Sequence, residues 1–343
     1  MPAESYANLP GAIVLAAYSP EPEMFARQLR SIAAQTLVDW TCIVVVDGDV
    51  APVRALVVES VADDNRFTVI GDGSRLGFYL NFERGLYEVP VEAAWVALSD
   101  QDDFWYPTKL QTLVPSLDTV ALATGGVRLV EYPSGAILGE AERRASDPLF
   151  TMLNNEYTGS ATVFRSSILQ VALPFPRAST RTAAHDHWLA VVSGAVGGTA
   201  LVSDSVQDYV QHTGNVFGDP RQSAAPWSLP RAVRNVREMT ARYEGTSGPL
   251  AMLRMMFWLN VGWRQLLTET LTARVGSDRV DPRIKGAFGR DRKFTEIAHL
   301  IRRARQTGVV GTQFALEYVV SWVAGILIAG RSSVSRQRPR ERA

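Results

Sequence analysis

Along the first hundred positions, apolar residues follow two alternating patterns. Ala12 to Tyr18 (AIVLAAY) is a short continuous apolar run that stops at Ser19-Pro20, and the next apolar positions, Phe25, Leu29, Ile32 and Ala33, recur at helical spacing. This predicts strand, loop, helix. Thr41 to Val46 is rich in β-branched residues and too short for a stable helix; it ends in Asp47-Gly48-Asp49, so a second buried strand with an acidic tip is expected. Residues 51–62 then predict a helix, Phe67 to Ile70 a third strand, and 77–88 a helix preceded by Gly71, Gly73 and Gly77. Ala94 to Leu98 predicts a fourth strand that runs into Ser99-Asp100-Gln101-Asp102-Asp103. Alternation at this spacing implies an α/β, doubly wound, mostly parallel sheet, in which ligands bind beyond the carboxyl ends of the strands. Asp47 and Asp100 both stand at such ends.

Past Leu117 the pattern loosens. Short β-type runs (120–123, 161–164, 200–202 and 206–210) alternate with loops, while 168–172 and 186–196 read as helices. After Pro226 the chain changes to long helices rich in Arg, Trp and Met, interrupted near 276–289. Two regions are therefore expected: a catalytic domain at 1–225 and an Arg-rich helical region at 226–343. A 46% hydrophobic composition over 343 residues supports a large core and excludes a disordered chain. Cys42 is the single cysteine, so an intrachain disulfide is excluded and a reduced setting is favoured. The first residues lack a basic start followed by an apolar stretch, and a cytoplasmic location is expected.

Net charge is zero, yet residues 1–219 carry 13 Lys+Arg against 26 Asp+Glu, and residues 220–343 carry 22 against 9. Such asymmetry suggests that the second half faces an anion: nucleic acid, anionic lipid or a phosphorylated acceptor. The plainer reading is that the acidic half needs a basic neighbour.

The strongest local chemical signal is Ser99 to Trp105 (SDQDDFW), three carboxylates in four positions directly after an apolar strand. Such crowding repels itself unless a cation is present. Mg²⁺ and Mn²⁺ take oxygen ligands, and Mg²⁺ is commonly held by one or two carboxylates together with substrate phosphates. A helix cap before Pro107 would use one of these acids and leaves the others unexplained. No GxGxxG spacing, GKS, GKT or GxSxG occurs, which disfavours a dinucleotide enzyme, a P-loop enzyme and an α/β-hydrolase.

With these residues in hand, the chain from about 12 to 218 resembles the family 2 glycosyltransferases, in their bacterial rhamnosyltransferase-like or galactofuranosyltransferase-like branch. The resemblance rests on Ala16-Ala17-Tyr18-Ser19, on Ser31-Ile32-Ala33-Ala34-Gln35-Thr36, on Leu76-Gly77-Phe78 with Asn81 to Leu86, and on SDQDDFWYPTKL. It continues through Thr158-Gly159-Ser160-Ala161, His185-Asp186-His187-Trp188-Leu189 and Tyr209-Val210-Gln211-His212. One departure stands out: Val46 replaces the first Asp of the family's pair, leaving Asp47 alone.

The resemblance implies a GT-A type fold with a Rossmann-like nucleotide-binding half and an inverting transfer from a nucleotide-sugar, with dTDP-rhamnose as the leading donor and galactofuranose and glucose behind it. It implies donor contacts at Tyr18, Asp47, Asn81, Arg84, Asp100 and Gln101. Mg²⁺ or Mn²⁺ would sit on Asp100, Asp102 and His212, Asp186 would be the base, and Gly159, His185 and Trp188 would meet a glycan or lipid-linked acceptor. Nucleic acid is not among the implied partners, and a homo-oligomer is left open. His185 and His187 also read as a zinc HxH pair, but that pair has no third ligand nearby. Two other classes share the acidic motif: a nucleotidyltransferase, and a glycan-binding scaffold with a decayed site.

Phe314 to Gly330 is an apolar stretch of 17 residues broken only by Glu317, and Arg331, Arg336, Arg338, Arg340 and Arg342 follow. It is at the short limit for spanning about 30 Å of hydrocarbon. The expectation is peripheral attachment to an anionic membrane surface, with Leu250 to Leu271 as a second interfacial segment. The alternative is a helical hairpin packed on the catalytic domain or on a dimer partner.

Overall fold

The structure is a computed structural model that describes residues 4–62, 64–141, 147–177, 183–212 and 229–329. It divides into two compact units, the first comprising residues within 1–177, 184–225 and 271–281 and the second those within 178–183, 226–270 and 282–343.

The first unit is built on one sheet. Its strands are β1 (Gly11–Ala17), β2 (Trp40–Val46), β3 (Phe67–Ile70), β4 (Trp95–Ser99), β5 (Phe104–Trp105), β6 (Leu122–Glu131), β7 (Ile137–Ala141), β8 (Thr162–Arg165) and β9 (Thr199–Gln211). They lie in the order β3-β2-β1-β4-β8-β6-β9-β5, with β7 paired to β6. β3, β2, β1 and β4 are mutually parallel, as their alternation with helices requires. The residues of β1, β2 and β4 are almost continuously buried because helices cover both faces, while the edge strand β3 buries only Val69. Beyond β4 the sheet is mixed: β8 is antiparallel to both β4 and β6, β7 to β6 and β5 to β9, while β6 and β9 run parallel.

The two short runs foreseen at 200–202 and 206–210 are one 13-residue strand, β9. β6 likewise runs on to Glu131, well past the foreseen 120–123. The reason is tertiary. Gly125 and Gly126 read locally as a break, but β9 lies against them so closely that a Cβ on Gly125 would fall 2.6 Å from Val206.

The helices of this unit are α1 (Pro22–Ala33), α2 (Val50–Val61), α3 (Phe78–Tyr87), α4 (Lys109–Leu113), α5 (Pro148–Leu153), α6 (Leu169–Ala172) and α7 (His185–Val196). α1 begins with Glu21, whose carboxylate accepts the Met24 amide at 2.7 Å as a cap, and Pro22 takes the first turn. It buries Phe25, Leu29 and Ile32 against the sheet. α3 approaches the other face closely because Gly85 has no side chain: a Cβ there would lie 2.5 Å from Val14 and 2.9 Å from Val45. Cys42 is buried in β2, and burial raises its thiol pKa, so it is a core residue.

The second unit is helical: α8 (Leu229–Glu244), α9 (Pro249–Phe257), most of α10 (Trp263–Val275), α11 (Pro282–Phe288), α12 (Phe294–Gln306) and α13 (Thr312–Ala329). Between α9 and α10 one π turn, Trp258–Gly262, keeps the helical path continuous. Its Leu259 and Asn260 carbonyls accept from the buried Arg264 guanidinium at 2.8 and 2.9 Å. Carbonyls displaced from the regular ladder are thereby satisfied. Among the described residues no helix is long and apolar enough to cross a membrane.

Candidate active site

The carboxyl ends of β1, β2 and β4 converge, and the loops leaving them carry most of the side chains singled out in the sequence. On the β2 side, Asp47 is buried, and its carboxylate accepts the amides of Leu76 (2.5 Å) and Gly77 (3.0 Å). That closes the loop between β3 and α3 onto the sheet. Asn81, on the first turn of α3, donates to Val45 O at 2.9 Å and accepts from Arg84 at 2.7 Å. Arg84 also reaches Val46 O and pairs with Asp72 at 2.7 Å. Asp47, Asn81 and Arg84, which the resemblance gives to the donor, are thus largely engaged within the protein and form a wall, with Arg84 Nε alone of the guanidinium nitrogens lacking a partner among the described residues.

Tyr18 follows β1 as an exposed residue (43%), its amide donating to Gln101 Oε1 at 2.7 Å. Arg75 lies over that ring, its guanidinium 4.2 Å from the centroid. Sequence reasoning missed Arg75. It sits 57 positions from Tyr18 in an unremarkable loop, and only the closure made by Asp47 brings the two together.

The β4 side is different in kind. Asp100 carries no hydrogen bond to its carboxylate among the described residues, and its pKa is raised well above the ordinary value, first by burial and then by Asp103, Asp102 and Asp186. Asp103 is buried, accepts from Gln207 Nε2 at 2.8 Å and is pushed up to about 7 by burial and by Asp102. Lys109 is fully buried one turn on. It donates to Gln207 Oε1 at 2.6 Å and to Ser160 O, with its ammonium 3.5 Å from the Trp105 ring centroid. Burial pulls its pKa well down, against the attraction of Asp103 and Asp100. This network of Asp103, Gln207, Ser160 and Lys109 ties the acidic loop to β9; sequence reading treated Lys109 as a motif letter and missed Gln207.

β9 ends by delivering His212, whose Nε2 lies 2.8 Å from Asp102 Oδ2, and that bond raises the imidazole's pKa. Asp102 and His212 are 110 positions apart, so the structure does bring together two of the three expected metal ligands. They pair with each other, however, and among the described residues no three His, Cys, Asp or Glu side chains are arranged to hold a metal ion.

α7 supplies the opposite wall. Asp186, in its first turn, is near enough to raise the pKa of Asp100, and its Oδ1 accepts the His187 amide at 2.7 Å. His185 is only 8% exposed, stacks on Phe82 at 4.1 Å, and neither ring nitrogen has a hydrogen-bond partner. Burial lowers its pKa, so the ring is neutral. Gly159 lies against it: a Cβ would fall 2.7 Å from Nε2, so a larger residue would displace the ring.

Trp188, expected at the acceptor, is instead fully buried, with its indole N–H donating to Ala172 O at 2.8 Å. It supports α7 from beneath because helical spacing turns it inward from Asp186. His187 is buried too, its Nε2 2.9 Å from Thr151 O, so it faces away from His185 and the HxH zinc reading fails. Arg274, in the stretch 271–281, completes this support: it donates to Val171 O, Ala172 O and Pro174 O and lies 5.4 Å from the Trp188 ring. Nothing in the sequence marked a residue so far along the chain.

Residues 12–169 match the family described as Glycosyl transferase family 2. The protein is a glycosyltransferase. The matched segment, just under half of the chain, contains β1 to β8 and the SDQDD loop, and Asp186 and His212 lie beyond it. No curated protein matches the glycosyltransferase. Solved structures similar to it include S. aureus TarS 1-349 in complex with UDP-GlcNAc, at 14% identity and TM-score 0.47, covering 91% of this chain and 79% of that one. A second is the mannosyltransferase PcManGT from Pyrobaculum calidifontis in complex with GDP-Man and Mn²⁺, at 14% identity and TM-score 0.46, covering 96% and 89%. Likenesses this distant assign nothing to the individual side chains of this site.

Proposed function

We propose that this glycosyltransferase is inverting and divalent-cation-dependent, moving a hexose, with rhamnose from dTDP-rhamnose the leading candidate, onto a hydroxyl of a glycan or lipid-linked acceptor at the inner face of a membrane. The observation that carries this reading is the crowding of carboxylates on Asp100: Asp103, Asp102 and Asp186 all lie near enough to raise its proton affinity. Carboxylates that raise one another's proton affinity form a site for compensating positive charge. Asp100 and Asp102 fit Mg²⁺ or Mn²⁺ by donor chemistry, and donor phosphates would be among the further ligands. Bound there, the cation would stabilise the negative charge that develops on the departing nucleoside diphosphate. His212, which lies 2.8 Å from Asp102, would be a further residue to hold the cation.

Tyr18 and Arg75 would hold the nucleotide end of the donor, the ring offering a face and the guanidinium a charge for phosphate. Asp47, Asn81 and Arg84 keep the wall rigid, so the donor is positioned without reorganising it. On the far side, Asp186 takes the proton from the acceptor hydroxyl as that oxygen bonds to the anomeric carbon. The bond from that carbon to the phosphate oxygen breaks, its electron pair leaving with the phosphate. His185, neutral and unpaired beside Asp186, has one N–H and one lone pair to orient a sugar hydroxyl.

The test is to incubate the purified protein with a panel of nucleotide sugars, with and without Mn²⁺, and to identify the product. Cation-dependent release of nucleoside diphosphate supports this reading. Pyrophosphate release would mark a nucleotidyltransferase, and no turnover or binding with any donor would leave a scaffold.

A further inference from the structure

The second unit carries a surface that the transfer chemistry does not use. α13 has one tightly packed side: Tyr318, Ser321, Ala324 and Ile328 are all buried, and Ser321 accepts from Asn260 Nδ2 at 2.9 Å. Its opposite side carries Leu316, Val319, Val320, Val323, Ile326 and Leu327, exposed by 48, 38, 50, 49, 65 and 65%. At 100° per residue these six fall within an arc of about 120°, away from the packed arc. No charged side chain interrupts them. Aliphatic residues left this exposed in a continuous stripe over about three turns mark a surface that meets something apolar.

From this face, and resting on the reading of a membrane-presented acceptor, we infer that α13 docks flat on the surface of an anionic phospholipid membrane, with the six-residue stripe sunk to the level of the acyl chains. Spanning is excluded by the packed side: a helix that commits Tyr318, Ser321 and Ala324 to its own unit cannot also be surrounded by lipid. The choice of occupant follows from charge. In sequence the stripe is followed directly by Arg331, Arg336, Arg338, Arg340 and Arg342 against the single acid Glu341, within a half of the chain that holds 22 basic residues to 9 acidic. An aliphatic face followed in sequence by clustered arginines is complementary in composition to a lipid surface with anionic headgroups. A second copy of the chain would bring the same positive charge to the contact. Six partly exposed side chains also form a patch of only several hundred Å², below the roughly 800 Å² per partner that a stable dimer buries.

The experiment uses the full chain and two vesicle compositions, phosphatidylcholine alone and a 3:1 mixture of phosphatidylcholine with phosphatidylglycerol, with co-sedimentation as the readout. Wild type is expected to sediment with the anionic vesicles at low salt and much less with the neutral ones. The triple change Leu316→Ser, Val323→Ser and Leu327→Ser, all on the exposed side, should weaken that binding about tenfold or more, given that burial of apolar area sets the anchor strength. Helix content by circular dichroism and nucleotide-sugar turnover should match wild type, so that lost membrane binding and a failed glycosyltransferase reading are seen separately. Unchanged binding by the triple variant, or indifference of wild type to anionic vesicles, overturns the inference. A light-scattering mass that falls from dimer to monomer in the variant overturns it as well and assigns the stripe to a second copy.

Discussion

The two sides of the cleft are built on opposite principles. On the β2 side Asp47, Asn81 and Arg84 are buried or half-buried, and the Asp47 carboxylate, the Asn81 amide and both terminal nitrogens of Arg84 bond to backbone groups or neighbours. On the β4 side, among the described residues, Asp100 has no hydrogen bond to its carboxylate, Asp103 holds a raised pKa, and Asp102 lies against His212. The first side has completed its interactions on folding, so it contributes rigidity; the second has deferred them, so it contributes the capacity to bind and to change charge. A glycosyltransferase needs both, because positioning requires a fixed wall while stabilising a leaving phosphate requires charge that is not already neutralised.

That contrast can be broken most sharply at its catalytic end. Asp186→Asn is expected to cut transfer by about 10²- to 10⁴-fold while donor binding survives, since a general base acts on the acceptor. Donor affinity by calorimetry beside turnover decides; equal loss of both would make Asp186 part of the donor wall. Asp102→Asn should remove cation-dependent donor binding and turnover while shifting Tm little, because the repulsion relieved offsets the lost His212 contact. Near-normal turnover without added Mn²⁺ in that variant would sink the metal assignment.

Asn81→Ala should behave in the reverse way. It removes the side-chain donor to Val45 O and the side-chain acceptor of Arg84 Nη2 in a buried setting, so a stability loss of about 1–3 kcal/mol is expected, seen as a lower midpoint in urea. If Asn81→Ala were as stable as wild type and Asp102→Asn were not, the proposed division of labour would be wrong.

The smallest expected effect is on pH. Asp100, Asp103 and His212 all have raised pKa values in the fold, so each contributes stability that is present at low pH and lost as pH rises through its folded value. His185, lowered by burial, opposes them, since the unfolded chain takes up its proton below about 6.5. Lys109, also pulled down by burial, opposes them in the same sense; with three groups against two, the Tm of cation-free protein should fall between pH 5 and 8, and Mn²⁺ should recover most of it at pH 8. A Tm that rises over that range, or a Mn²⁺ effect that is largest at pH 5, would contradict the deferred-charge account.

Much of the first unit was legible because its determinants are local. Strands β1 to β4 are short apolar runs bounded by turn residues, and the helices between them carry their own apolar stripe. The SDQDD loop announced itself because three acids in four positions have no comfortable fate without a counter-charge. The mixed half of the sheet was less legible: β6 and β9 pass through residues that read as loop, and only their mutual pairing makes them strands.

What the sequence determined by itself is the class of the molecule: an α/β nucleotide-binding half, an acidic loop at a strand end, and a helical, arginine-rich second half. Only the tertiary structure decided which named side chains face the cleft. Asp47 and Asn81 are turned to the backbone, Trp188 lies beneath α7, Arg75 stacks on Tyr18, and His212 reaches Asp102 across 110 positions. It also decided that α13 is packed on one side and open on the other. The physical reason is the same in each case. Backbone preference and apolar periodicity act over a few residues and are written locally, whereas the partner of a polar group or an exposed face is set by whatever the fold brings beside it.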